Sequence, residues 1–243
     1  MPEAFAWGLI AGSSLILGGL LALRVRIGML ALGLIMAFGS GVLISAVAYE
    51  LVQEQISASV TGLVIAAGLL LGACIFFAGD SYIDHLGGQY RKRSSGVQAE
   101  GSPLAIVLGI VLDGIPESIV LGLSLLTGGE IGLALLAAVF LSNVPESIAA
   151  TIGLLNGGWP RKQIMGLWVL AALVSAVAAL AGYALLEGAS PRTIAFVNAF
   201  AAGAILTMLA DTMMPEAFEH GGRLVGLATT LGFLTAFLLT ALE

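Results

Sequence analysis

Asp113-Gly114-Ile115-Pro116-Glu117-Ser118-Ile119 and Ser142-Asn143-Val144-Pro145-Glu146-Ser147-Ile148 are two copies of one polar phrase set in apolar sequence. Each copy falls mid-way along a segment long enough to cross a bilayer. A carboxylate at that depth is costly and by default marks a site or a pathway. The remaining sequence reads as a helical scaffold built around these two segments.

Composition supports a membrane protein. The 243 residues are 59% hydrophobic and 10% charged, with a mean hydropathy of +1.06, where a soluble domain would carry about 25% charged residues. The nine Lys and Arg form no basic face and lie in short connections, which sets nucleic-acid binding aside. Cys74 is the single cysteine, allows no internal disulfide, and reads as a small buried hydrophobe. The acidic start Met1-Pro2-Glu3 favours a retained first helix over a cleaved leader.

A helix needs about 20 apolar residues to cross the hydrocarbon layer. Eight segments qualify: 5–23, 28–52, 58–79, 103–126, 131–155, 163–186, 192–216 and 223–242. The expected fold class is an all-α membrane protein of eight transmembrane helices. It forms one domain over 1–243, with a polar cytoplasmic loop at about 80–102 to which no structure is assigned. Basic residues stay on the cytoplasmic side. Arg24 and Arg26, Arg91 to Arg93, Arg161 and Lys162, and Arg223 all follow odd-numbered spans, against Arg192 alone on the other side. Both termini are therefore expected outside, in agreement with Glu3, Glu54, Glu130, Glu187 and Glu243 on the outer side.

A second repeat links the ends of the second and seventh spans. Gly41 to Glu54 and Gly203 to Glu216 share the spacing of their terminal residues. The topology runs those spans in opposite directions, and the fourth and fifth likewise. Related segments of opposite direction suggest inverted halves meeting near the midplane.

In the two central segments Asp113 and Glu117 are four apart and share a helix face; Ser142 and Glu146 repeat that spacing with Asn143 beside them. Pro116 and Pro145 each delete an N–H and free a carbonyl four residues back, on Leu112 and Leu141. Packed antiparallel, the copies would form a near-symmetric cage of Asp113, Glu117, Asn143 and Glu146, with Ser142 a further donor. Three carboxylates in a low-dielectric pocket cannot all remain ionised without a cation. The chemistry that follows is divalent metal binding that weakens as pH falls; a proton relay without metal could use the same acids. His85 and His220 read as solvated or capping residues. Glu50, Asp211 and Glu216 read equally as pathway or interfacial residues. Met208, Met213 and Met214 read as packing, and Trp7, Trp159 and Trp168 as belt or packing residues. The Gly8/Gly12 and Gly68/Gly72 pairs allow close helix contact.

These motifs resemble the ZIP family of zinc and iron permeases, over essentially the whole chain. That family has eight membrane helices, outward termini and a long cytoplasmic loop after the third. Its fourth and fifth helices carry His-Asn-x-Pro-Glu-Gly phrases that build a binuclear metal site. Met214-Pro215-Glu216-Ala217 and the run from Ala228 to Phe233 are similar to the family as well. The chain departs from it at Asp113 and Ser142, which stand in place of the motif histidines, and at Gly114, in place of the first Asn. Ser175 stands where the sixth helix often supplies an acid, and the polar loop lacks the histidine cluster common in relatives. The surviving donors are oxygens, which suit Mn, Mg or Ca better than imidazole sites do and leave Zn and Fe possible through carboxylates. A single remodelled site fits this inventory better than a binuclear one.

The resemblance implies a metal carrier with Zn, Mn or Fe as substrate, no cofactor, inward transport, a homodimer, and residence in a bacterial inner membrane. Two alternatives are a ZIP-scaffold permease for another solute or for protons, and an intramembrane metal-dependent enzyme. The enzyme is disfavoured because no H-E-x-x-H or other recognisable hydrolase ligand set is present.

Overall fold

The structure, a computed structural model, describes residues 1–57, 60–88, 91, 93–95, 102–128 and 132–242. Lys92, Glu130 and Glu243, used in the topology argument, lie outside them, as do residues 96–101 of the polar loop.

Ten α-helices follow in order among the described residues, which contain no strand: α1 (Pro2–Arg24), α2 (Met29–Ala46), α3 (Glu54–Ser57), α4 (Gly62–Ile83), α5 (Pro103–Gly128), α6 (Leu133–Asn156), α7 (Arg161–Leu186), α8 (Pro191–Met208), α9 (Met214–Gly221) and α10 (Val225–Thr240). α1, α5 and α8 each begin with proline, whose missing N–H costs nothing in a first turn and whose φ suits it. Ser190 caps α8 by accepting the Thr193 N–H at 3.2 Å. Wide π turns, Val47–Gln53 and Leu209–Met213, join α2 to α3 and α8 to α9.

Seven stretches among the described residues are long and apolar enough to cross a membrane: Pro2–Arg24, Met29–Ile56, Gly62–Gly88, Pro103–Leu126, Leu133–Asn156, Arg161–Leu186 and Pro191–Thr240. The expected seventh and eighth spans both fall in the last, of 50 residues, which is interrupted at Gly222 (φ 53) and a 3-10 turn. The third reaches beyond its expected end. α4 continues to Ile83 and a π turn covers Asp84–Gly88, kinked at Gly87 (φ 98), so helix runs into the start of the supposed loop. Hydropathy stops at Gly79 because Asp80 and Asp84 are charged, whereas the backbone hydrogen bonds do not stop there.

The helices pair in a pattern that repeats. α4 lies along α8 and α2 along α10; α5 lies along α7 and α6 along α1; α1 and α7 also pack together. Small residues permit this closeness. A Cβ on Gly41 of α2 would collide with the Thr229 carbonyl of α10, and one on Gly203 of α8 with the Leu69 carbonyl of α4. Gly8 and Gly12 meet α7, and Gly68 and Gly72 meet α8, which supplies the partners that spacing alone left open. Trp168, 1% exposed, packs beside Leu15, Ile106 and Leu154 and donates its indole N–H to Thr151 Oγ1 at 2.8 Å.

Large apolar side chains such as Leu63, Leu70, Phe77, Leu185 and Leu227 face outward, the arrangement expected where the surroundings are lipid rather than water. Cys74 corrects an expectation: it is exposed on α4, not buried. A thiol is apolar enough to face lipid, so an apolar run does not fix its direction. Met208 and Met213 are buried in the core, as expected of packing residues.

Candidate functional site

Both polar phrases sit inside uninterrupted helices, Pro116 within α5 and Pro145 within α6. All five residues assigned to the metal cage are buried: Asp113 and Glu117 on α5, Ser142, Asn143 and Glu146 on α6. Ser142 donates its hydroxyl to the Val139 carbonyl at 3.0 Å, and Ser118 to that of Gly114 at 2.7 Å, so both serines are used on their own helices. α5 and α6 touch each other only slightly; α5 lies mainly against α7, and α6 against α1 and α2. A Cβ on Gly114 would lie 3.7 Å from Ser175 Oγ, which sets Ser175 of α7 against the first motif. Among the described residues, no three His, Cys, Asp or Glu side chains gather closely enough to hold a metal ion.

Asp113 is instead engaged from outside the helices. Arg91, 2% exposed, donates from Nε to Asp113 Oδ2 at 2.9 Å and from Nη2 to Oδ1 at 3.0 Å. Nη2 also pairs with Asp80 Oδ1, and Nη1 reaches Asp84 Oδ1 at 3.4 Å. Asp80 and Asp84 are one helical turn apart and so face the same guanidinium. Asp211, in the π turn after α8, lies within electrostatic reach of Asp80 and Arg91. Burial alone works against the charge of Arg91, but Asp113 and then Asp80, through field and hydrogen bonds, outweigh it and raise its pKa above the usual value. The guanidinium stays charged.

Three residues along, the same segment is held again. Glu216 Oε1 accepts the Ser94 N–H at 2.8 Å and its hydroxyl at 2.5 Å. His220 Nε2 stands 2.9 Å from Ser94 Oγ and 3.1 Å from Glu216 Oε1, so one Nε2–H tautomer serves both. Asn156 Nδ2 donates to the Ser94 carbonyl at 3.0 Å. His220 is thus a member of a polar cluster, against the solvated role expected of it. Glu216 is 2% exposed and so is buried within this cluster. His85 is exposed and bonds its own helix, Nδ1 to Ser81 O at 2.6 Å, as expected of a capping histidine.

Asp80, Asp84, Arg91, Ser94 and Asn156 were not singled out by the sequence as site residues. The available signal was the pair of unbalanced acids, four apart, at the end of an apolar helix.

The family model described as ZIP Zinc transporter matches residues 89–242, a segment that holds both phrases, the Arg91–Ser94 segment and Glu216. The chain belongs to the ZIP family. The resemblance read from the two Pro-Glu phrases is thereby borne out, and with it the general activity of a divalent metal transporter in a membrane. No curated protein matches the chain. Asp113, in the first of the two phrases, is the residue that meets Arg91 here.

Proposed function

We propose that the chain carries divalent metal cations across the membrane into the cytoplasm, by alternating access around Asp113, Glu117, Asn143 and Glu146, with Ser142 as a further donor. The observation that carries this is the burial, in a ZIP family member, of two matched Pro-Glu phrases in the middle of apolar helices. Intramembrane acids of this kind line ion pathways. Among the described residues no three acids stand ready to hold a metal ion, so in this reading the cargo site assembles when α5 and α6 move relative to one another. Ser142 turning away from the Val139 carbonyl belongs to that change.

The architecture in this reading has eight crossings. A straight helix of 50 residues would be about 75 Å long, more than twice the hydrocarbon thickness of about 30 Å. Pro191–Thr240 therefore crosses twice, turning at Gly222. Exchanging the first three spans with the last three maps the α4–α8 pair onto α10–α2 and the α5–α7 pair onto α6–α1. It also maps the π turn Val47–Gln53 onto Leu209–Met213. Both correspondences support inverted halves. Termini outside, an inner bacterial membrane, a homodimer and the absence of catalysis complete the reading.

A second reading is favoured by one observation. Asp113 is held by Arg91, and no three metal-binding side chains converge among the described residues, as in a scaffold that has given up metal for another solute. Liposomes loaded with a metal-sensitive dye separate the two. The carrier shows saturable uptake in a panel of Zn, Mn, Fe, Cd, Co and Mg that falls to background in E117A and E146A. No uptake of any ion selects the second reading. High-affinity preference for Zn over Mn contradicts the hard-donor argument.

A further inference from the structure

A guanidinium this deeply buried is stable only when fully paired, and Arg91 finds its partners on two different helices. Asp113 presents both oxygens to it in the parallel two-bond geometry that makes arginine–carboxylate pairs strong and directional. Asp80 of α4 takes a second edge of the same group. While this arrangement holds, each oxygen of Asp113 accepts an N–H of a buried guanidinium, and a cation approaching Asp113 meets that positive charge at close range. The segment cannot drift off in that state, since Ser94 is fixed by Glu216, His220 and Asn156 three residues further on.

We infer that Arg91 is a tethered counter-cation which neutralises Asp113 in place of cargo, and that a divalent cation reaching Asp113 must displace it. The inference rests on the carrier reading above, with Asp113 as a cargo ligand. Charge explains why the exchange is workable. Asp80, Asp84 and Asp113 share the single positive charge of Arg91, so a doubly charged ion arriving at Asp113 gains more from this field than the guanidinium it displaces, and a singly charged one does not. Arg91 thus determines affinity and discriminates by valence, although it never contacts the ion. The apparent affinity of such a site is lowered by the fraction of time it stands open.

Metal binding to purified wild type, R91Q and R91K, titrated with Mn²⁺ alone and with Zn²⁺ alone, tests this. If the site stands open about a tenth of the time, R91Q binds about tenfold more tightly than wild type. R91K keeps the charge but not the planar fork and should fall between. A gain in affinity is not what damage to the fold would produce. If R91Q does not fold, R91K alone decides, and wild-type affinity in R91K overturns the proposal. Wild-type affinity in R91Q, with binding abolished in E117A, overturns the role of Arg91 and leaves the carrier reading intact. No binding of either ion in any variant overturns both.

Discussion

Arg91 holds both carboxylate oxygens of Asp113, at 2.9 and 3.0 Å, in a region where each is about 2% exposed. Removing one member of a buried ion pair strands the other. D113N should lower stability by roughly 3 kcal/mol, the lower end of that cost, because Asp80 and Asp84 still face the guanidinium. Unfolding of the detergent-solubilised protein, followed by circular dichroism, measures it. E219Q is the control: Glu219 pairs with Arg93 at 2.7 Å with both side chains well exposed, and its loss should shift the midpoint hardly at all.

The close crossing of α2 and α10 depends on Gly41. G41A places a methyl against the Thr229 carbonyl, and overpacking of this kind costs about 1–3 kcal/mol. G166A, on α7 with open space around it, should be neutral or stabilising by up to ~1 kcal/mol, since alanine is the better helix former. Equal midpoints for the two variants would show that the α2–α10 crossing is looser than described.

W168F removes the indole donor to Thr151 and leaves a buried hydroxyl oxygen without the N–H it accepts. The expected loss is about 1–3 kcal/mol, together with the emission of a deeply buried tryptophan. Retention of the wild-type midpoint in W168F would mean that the Thr151 bond is replaced at no cost.

Cys74 points outward from the middle of α4. In proteoliposomes it should react with an apolar maleimide and resist a charged, membrane-impermeant one. Comparable rates with both reagents would place that face of α4 against water.

The two Pro-Glu phrases and most of the spans were legible because hydropathy and spacing are local properties, written into one stretch at a time. Arg91 was not. Within Arg91-Lys92-Arg93, followed by Ser and Gly, it has the composition of a solvated turn, and its partners Asp80 and Asp113 are brought to it only by the packing of α4 and α5. His220 escaped for the same reason: its role depends on Ser94, 126 residues earlier. Cys74 failed differently. An apolar run tells that a helix is in lipid or in a core, but not which way one small residue faces. The Gly41/Gly203 correspondence, a weak match as text, gains weight because both glycines admit a neighbouring backbone and both precede a π turn.

Those π turns have a consequence for how the chain can vary. A π turn carries one residue more than an α-helix would, and one residue is about 100° of rotation around a helix axis. Glu216 lies just past Leu209–Met213 and accepts from Ser94, so the length of that turn enters its azimuth. Deleting a single residue there would leave the helix intact and wind every side chain beyond it to a new compass bearing, taking Glu216 off Ser94. Length in this stretch is as informative as residue identity, and homologues should conserve the count even where they change the letters.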